Sequence, residues 1–237
     1  MSAVFNMPYH ILIILLLLGI SSTAHGRPIG HAPSVGNTFY GAPCMQVQEN
    51  FGPFDYLLRK NLPNELGIVE RYHFTPQVEQ LIAPVSSVHV LGEISYTLKA
   101  WPNHHRALNS MLRHRVRTWG SRPKEYLRYS PAECWLQRAI KFSPKDATVH
   151  MLYGILLHRT NHQEQALKQY RKAYDIDPSN VQTKYNLGLL LIELKSYSEA
   201  KKYALELYSR GYPLPGLKNK LKKAGHWTKA DEQETSS

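Results

Sequence analysis

The chain has 237 residues, and its 29 Lys and Arg residues outnumber its 18 Asp and Glu residues to give a formal net charge of +11 at pH 7. This charge favours an anionic partner. No apolar run is long enough to span a bilayer, so no transmembrane span is expected in the mature chain. No nucleophile motif, phosphate-binding glycine loop or pair of catalytic acids is present, so an enzyme is not expected.

An N-terminal export signal is predicted for residues 1–24. Residues 11–20 (ILIILLLLGI) are almost wholly apolar, but at about 1.5 Å per residue they would cover only about half of a bilayer core. Ser22 and Ala24 then provide a signal-peptidase site, although no Lys or Arg precedes the apolar run. We expect a periplasmic or secreted protein, which would not meet nucleic acid; the alternative is an uncleaved anchor in the inner membrane.

The next two segments lack a long hydrophobic period. Residues 25–40 are rich in Gly, Pro, Ser and His, which predicts a flexible leader. Residues 41–100 carry apolar and aromatic residues and predict an irregular region, with two short helices, that packs on the rest of the chain. Cys44 and Cys134 form an even pair, which in an exported protein predicts a disulfide. Two unrelated thiols are the alternative.

A degenerate helical unit is predicted over residues 101–144. Its first helix would occupy about residues 103–117, and an inserted loop at 118–130 would lead to a second helix. Ala132 in that second helix precedes Ala166 by the same interval at which Ala166 precedes Ala200. This interval links the degenerate unit to the two units that follow.

One interval recurs throughout the C-terminal half. Gly154 recurs as Gly188 and Ala166 recurs as Ala200, while proline recurs at positions 144 and 178. Glycine inside a helix costs about 1 kcal/mol relative to alanine, so its repetition indicates close contact between helices. An interval of about 34 residues predicts two helix–turn–helix units over 145–178 and 179–212, followed by a polar capping helix at about 217–224. The segment 226–237 is predicted to be a flexible tail.

These units resemble the tetratricopeptide repeat. The resemblance is carried by residues 185–190 (YNLGLL), 196–200 (SYSEA) and 175–180 (DIDPSN). With the phrases GPFDY, VERYHFTP and PNHHRALNSM upstream, the chain is similar to exported proteobacterial tetratricopeptide proteins without an assigned activity. The resemblance implies a mostly α protein: a short tetratricopeptide-type α-solenoid with an irregular N-terminal region and a C-terminal capping helix.

The resemblance also implies a concave groove lined by the first helix of each unit. A protein or peptide partner would bind there, as an extended peptide or a helix, and no cofactor is expected. Asn186 resembles the groove asparagine that holds a ligand backbone in the family. The groove residues expected from the consensus register are Thr148, Met151, Ile155, His158, Arg159, Gln182, Tyr185, Asn186, Leu189 and Glu193. The function expected is therefore a non-catalytic protein–protein interaction scaffold of the bacterial envelope.

Three alternatives remain open at this point. A metal-dependent enzyme could use His73 and His104, although no carboxylate or cysteine pattern completes a metal site. A basic patch of Arg106, Arg113 and Arg117, which share one helical face, could instead bind an anionic membrane surface or polymer. Finally, aromatic residues of the N-terminal region could fill the groove.

Overall fold

The computed structural model describes residues 31–49, 51–87, 89–121 and 124–235. The predicted export signal and residues 25–30 of the leader lie outside these ranges. The described residues form helices and no β-strand, apart from one isolated bridge between Asn37 and Pro43. The helices are α1 (Pro63–His73), α2 (Pro76–Glu79), α3 (Val90–Ala100), α4 (His105–Arg117), α5 (Ala132–Phe142), α6 (Ala147–Arg159), α7 (Gln163–Ile176), α8 (Val181–Glu193), α9 (Tyr197–Tyr208), α10 (Gly216–Lys223) and α11 (Lys229–Glu234).

The helices pack in consecutive pairs. Helix α6 packs on α7 and α8 packs on α9, while α5 contacts α6 and α7 contacts α8 to stack one pair on the next. The first helices of three pairs, α4, α6 and α8, also contact each other in sequence and form one wall. This arrangement confirms the predicted mostly helical solenoid of tetratricopeptide type.

Each helix of this wall begins at a residue whose side chain caps it. His104, Asp146 and Asn180 accept hydrogen bonds from backbone N–H groups in the first turns of α4, α6 and α8. A proline lies two residues before each cap, where it disfavours continuation of the preceding helix. The repeated proline therefore marks the junction between pairs, and the cap satisfies N–H groups that would otherwise lack a partner.

The two mid-helix glycines are needed for different contacts. A Cβ atom added at Gly154 would lie 2.5 Å from Cδ1 of Tyr170, whose ring packs directly on this backbone. The residue that corresponds to Tyr170 in the next pair is Ala204, which is too small to cover Gly188 in the same way. Leu217 of α10 takes that position, and a Cβ at Gly188 would lie 2.8 Å from its Cδ2. The capping helix thus fills the gap that the smaller side chain leaves.

Residues 41–100 are more regular than the sequence indicated. Helices α1 and α3 pack on each other, and α3 packs on α4, which repeats the contacts of the later pairs. Leu91, Ile94 and Leu98 on α3 are fully buried in the same core as α4. The apparent lack of a period arises because α2 and its flanking turns interrupt the pair. The solenoid therefore begins one helix pair earlier than expected.

The predicted leader and tail are also packed where the structure describes them. Ala32 is fully buried, and the ring of Phe39 stacks on His162 with centroids 4.5 Å apart. The predicted disulfide between Cys44 and Cys134 is confirmed, and it attaches this arm (residues 31–49) to α5. In the region expected to be a flexible tail, Trp227 is buried and α11 forms.

Helix α11 is held by polar contacts rather than by a large apolar face. Thr228 and Asp231 form a reciprocal capping box at its start. The Asp231 carboxylate also lies 2.7 Å from Nζ of Lys201 on α9. These contacts correct the prediction of a flexible tail for residues 226–235.

Candidate functional site

A pocket of about 400 Å³ opens on the wall formed by α6 and α8. Six of its lining residues belong to the groove set expected from sequence, and two more come from α7 and α10. We call this site the groove pocket. Its lining residues are Ile155, His158, Arg159, Tyr170, Asn186, Leu189, Glu193 and Lys220.

A carboxylate organises the polar side of the groove pocket. Glu193 accepts hydrogen bonds from His158 at 2.9 Å, from Lys220 at 3.3 Å and from Gln163 at 3.4 Å. Burial acts to raise the pKa of Glu193, but the hydrogen bond from His158 and the charges around it lower the pKa below its ordinary value. The carboxylate is therefore ionised at neutral pH and fixed between three donors.

Asn186 has an unused donor in this site. Its Oδ1 accepts a hydrogen bond of 3.2 Å from Gln182, one turn earlier on α8. Its Nδ2 is buried and makes no hydrogen bond with any residue that the structure describes. A buried amide donor without a partner costs about 1–3 kcal/mol, so an acceptor that a ligand brings to it after a rotation of the Asn186 side chain would be favourable.

Tyr170 forms part of the wall of the groove pocket. Its ring packs on Gly154 and meets the ring of His158 edge to face, with centroids 6.1 Å apart. Burial raises the pKa of the Tyr170 hydroxyl far above its ordinary value, so it remains protonated. The phenol is therefore a neutral, rigid surface beside the charged Glu193 network.

The other predicted groove residues do not line this pocket. Met151 is buried in the core, and Thr148 lies in the first turn of α6, where its N–H is held by the Asp146 cap. The segment after α9 lies against Tyr185 and Gln182. The rings of Tyr185 and Tyr212 lie 5.2 Å apart, and the Tyr212 hydroxyl reaches Oε1 of Gln182 at 3.5 Å.

Two residues of the groove pocket were missed in the sequence. Lys220 belongs to the capping helix, and the packing of Leu217 on Gly188 helps to bring that helix to the wall. Tyr170 lies on the second helix of its pair, which the consensus register assigns to the outer side. Its pairing with a mid-helix glycine was the available signal, because a bare backbone accommodates a large side chain.

The predicted basic patch is not an open cationic surface. The guanidinium of Arg106 pairs with the carboxylates of Glu79 and Glu70, and Arg113 donates to the backbone carbonyl of Glu79. Arg117 is exposed. The sequence could not reveal this pairing because both acids lie on α1 and α2, before the helix that carries the arginines.

The two histidines considered as metal ligands bind different carboxylates. His73 lies 2.7 Å from Glu93, and His104 lies 3.0 Å from Glu70 while its other ring nitrogen caps α4. Across the described ranges, no cluster of three or more His, Cys, Asp or Glu residues could hold a metal ion. These histidines have structural partners that account for their burial.

The aromatic residues of the N-terminal region do not fill the groove pocket. Phe54 and Tyr56 pack around the fully buried Trp101, with Phe51 beside them, in a small separate core. None of these residues lines the groove pocket. The groove pocket is therefore open to a ligand in the part of the chain that the structure describes.

Two family models match the C-terminal half of the chain. One, described as TPR repeat, matches residues 156–195, and the other, described as Tetratricopeptide repeat, matches residues 181–210. The chain contains tetratricopeptide repeats. These matches include α7, α8 and α9 and most of the wall of the groove pocket.

Two curated proteins match a part of the chain. The peroxisomal targeting signal receptor of Candida glabrata is 32% identical over 73 residues, which cover 31% of this chain and 12% of the receptor. The receptor of the same name from Candida albicans is 34% identical over 67 residues, 28% of this chain and 11% of the receptor. The chain thus matches a small part of the length of these curated relatives.

A solved structure described as MamA RS-1 ArsTM double mutant also matches. It is 18% identical, with a TM-score of 0.38, and the match covers 62% of this chain and 83% of that one. Within residues 31–49, 51–87, 89–121 and 124–235, the helices are too short or too polar to cross a membrane.

Proposed function

We propose that this protein is an interaction scaffold that captures a segment of a protein partner in the groove pocket. The tetratricopeptide repeats support a protein–protein interaction scaffold. The observation that carries the groove proposal is the convergence of Ile155, Leu189 and the unused Nδ2 of Asn186 in one pocket. Apolar contact and a free donor together suit a peptide backbone with an apolar side chain.

The mechanism is recognition by a preformed surface. Ile155 and Leu189 would receive an apolar side chain, while Asn186 donates to a backbone carbonyl of the peptide. Glu193 would accept a peptide N–H, because its position is already fixed by His158 and Lys220. The helices that carry these groups are packed in the core before binding, so little ordering free energy is lost on capture.

The compartment proposed is the bacterial envelope, reached by cleavage of residues 1–24. The disulfide between Cys44 and Cys134 supports an oxidising compartment. Mass spectrometry of the protein from fractionated cells tests this proposal: a mature chain that begins after Ala24 in the soluble envelope fraction is expected. An intact N-terminus in the membrane fraction would favour the anchored alternative.

Selection from a displayed library of random peptides, followed by titration of the best peptides, tests the groove. Asn186→Ala removes the free donor and Leu189→Lys places a charge in the apolar part, so each is expected to weaken binding about tenfold or more. Asn109→Ala, at an exposed position of α4, is the matched control. Circular dichroism and thermal unfolding establish that the variants fold.

The proposal predicts that peptide affinity is lost in the two groove variants and kept in Asn109→Ala. Equal affinity in all three variants would place the peptide site elsewhere. Failure of the library to yield a peptide in the micromolar range would contradict the groove proposal itself.

A further inference from the structure

A second pocket, of about 430 Å³, lies in the N-terminal half of the solenoid. Its walls come from three parts of the chain: the arm, helix α3, and the segment that leads into α5. We call this site the arm pocket. Its lining residues are Met45, Gln46, Val47, Gln48, Ser87, Gly92, Ser95, Tyr96, Lys99, Arg128, Tyr129, Ser130 and Trp135.

The charge of the arm pocket differs from that of the groove pocket. Lys99 and Arg128 line it, and neither forms an ion pair with any residue within the described ranges. No Asp or Glu is among the lining residues, whereas Glu193 lies inside the groove pocket. The Glu93 carboxylate accepts a hydrogen bond from the N–H of Ser87 but does not line the pocket, so the charged groups that line it are both cations, which favours an anion.

The remaining lining groups are hydrogen-bonding side chains and aromatic rings. Gln46, Gln48 and Ser87 border the pocket, together with the rings of Tyr96 and Tyr129. The side chain of the lining residue Ser95 is almost fully buried, and its hydroxyl has no hydrogen-bond partner in the described structure. Amides and hydroxyls beside ring faces suit a ligand with a hydroxylated body rather than an apolar one.

The disulfide joins two walls of the arm pocket. Cys44 immediately precedes Met45 on the arm, and Cys134 immediately precedes Trp135 on α5. Arg138 of α5 also binds the arm, through the backbone carbonyl of Ala32 at 2.8 Å and through the Glu49 carboxylate. The arm is thus fixed as a wall of the site by a covalent bond and a buried ion pair.

We propose that the arm pocket binds a small hydroxylated anion, such as a sugar that carries a phosphate or carboxylate group. Lys99 and Arg128 hold the anionic group, and the amide and hydroxyl side chains hold the body. This site is independent of peptide capture in the groove pocket, because the two pockets share no lining residue.

Isothermal titration of the full, disulfide-bonded chain tests the proposal with glucose 6-phosphate, glucuronate and glucose in separate arms. Both anionic sugars are expected to bind at least about tenfold more tightly than glucose, because charge-assisted hydrogen bonds to Lys99 and Arg128 are lost with the neutral sugar. The double variant Lys99→Gln/Arg128→Gln is expected to abolish this difference.

A charge-matched control distinguishes binding at the arm pocket from a general effect of net charge on affinity. Lys172→Gln/Arg210→Gln removes one Lys and one Arg from exposed positions on and after other helices. This control is expected to keep the affinity of the wild-type chain. Equal loss of affinity for the anionic sugars in the two double variants would overturn the proposal. The proposal would also be overturned if neither anionic sugar bound at about 10 mM, the limit of a very weak site. Binding of inorganic phosphate as tightly as glucose 6-phosphate would overturn the role of the hydroxylated body.

Discussion

The two halves of the solenoid build the same helix pairs with different spacing. Helices α6 and α8 begin at Ala147 and Val181, whereas α1 and α4 begin at Pro63 and His105, which is a longer interval. The helices within each C-terminal pair are joined by three residues, but α2 or a 3-10 turn separates those within each N-terminal pair. The stacking of helices is thus compatible with long insertions between partners.

The halves also differ in what fixes the helices. Small residues allow close contact in both halves, because Ala107, Ala132 and Ala139 are as fully buried as Ala166, Ala173, Ala200 and Ala204. The N-terminal pairs differ in a second kind of contact. In the N-terminal pairs, buried charged groups connect the helices to each other and to the arm. Arg115 on α4 pairs with Glu133 on α5, and both side chains are almost completely buried.

This difference teaches how a degenerate repeat retains its geometry. A three-residue turn sets the position of the second helix directly, while a long insertion leaves that position undetermined by the chain. Hydrogen bonds of fixed geometry, such as those between Arg115 and Glu133, then define the register of the pair. The comparison predicts that loss of a charged partner harms the N-terminal pairs more than the C-terminal pairs, while volume changes harm close contacts in either half.

The largest effect is expected from Glu133→Ala. The change leaves the guanidinium of Arg115 buried without its counter-charge and removes the acceptor of the Phe39 N–H, which should cost about 3–5 kcal/mol. Glu199→Ala breaks the exposed pair with Arg171 in the C-terminal half and should cost less than about 1 kcal/mol. Urea unfolding measures the free energy of unfolding of both variants. Equal losses of this free energy would contradict the contrast between the halves.

The second largest effect is expected when the disulfide is removed by Cys44→Ser/Cys134→Ser. The bond closes a loop with a sequence separation of 90 residues, and its loss should lower the free energy of unfolding by about 2–4 kcal/mol. Hydrogen exchange should become faster in the arm and α5, while α7 to α9 keep their protection. Uniformly faster exchange along the chain would show that the two halves unfold together.

A smaller effect is expected from Gly154→Ala, which tests close packing in the C-terminal half. The added methyl would lie 2.5 Å from the ring of Tyr170, and overpacking of this kind should cost about 1–3 kcal/mol. Gly67→Ala is the matched control, because nothing beyond its chain neighbours and its own helix backbone lies within 4 Å of the added Cβ. The control should stabilise α1 by up to about 1 kcal/mol through helix propensity. Thermal unfolding compares them, and a stabilising Gly154→Ala would contradict the packing role.

The sequence predicted the C-terminal half well because its period is regular. Three landmarks that recur at one interval specify both the helices and their partners, and the disulfide followed from cysteine number and the export signal. The N-terminal pair was missed because its helices recur at a longer interval. The longer interval itself is visible, because Pro102 and His104 precede α4 as Pro144 and Asp146 precede α6. Helix α1 lacks this signal, since Lys60 and Leu62 stand at the corresponding positions.

The candidate site was predicted in part for a similar reason. Consensus register identifies which residues of α6 and α8 face the wall, so Ile155, Asn186 and Leu189 could be named. It does not show that the segment after α9 turns back and lies against Tyr185. Nor does it show which arginines are paired, because ion pairs between distant segments leave no period in the sequence.

The smallest effect on stability is expected for the residues that cap the wall helices. It depends on pH at α4, whose cap is a histidine. His104 is fully buried, and burial lowers its pKa despite the neighbouring Glu70, so the folded state prefers the neutral ring. The unfolded chain binds a proton more readily, and stability should therefore fall as pH drops below about 6.5, by at most about 1.4 kcal/mol per pH unit.

His104→Asn places at α4 the residue type that caps α8, where Asn180 holds the N–H of Thr183 at 2.9 Å. Because asparagine keeps the cap but does not titrate, the variant should lose this acid sensitivity between pH 6.5 and 5 while its helix content is unchanged. Urea unfolding at several pH values measures the slope, and an unchanged slope in the variant would assign the acid sensitivity to other groups, such as His114, whose pKa burial also lowers.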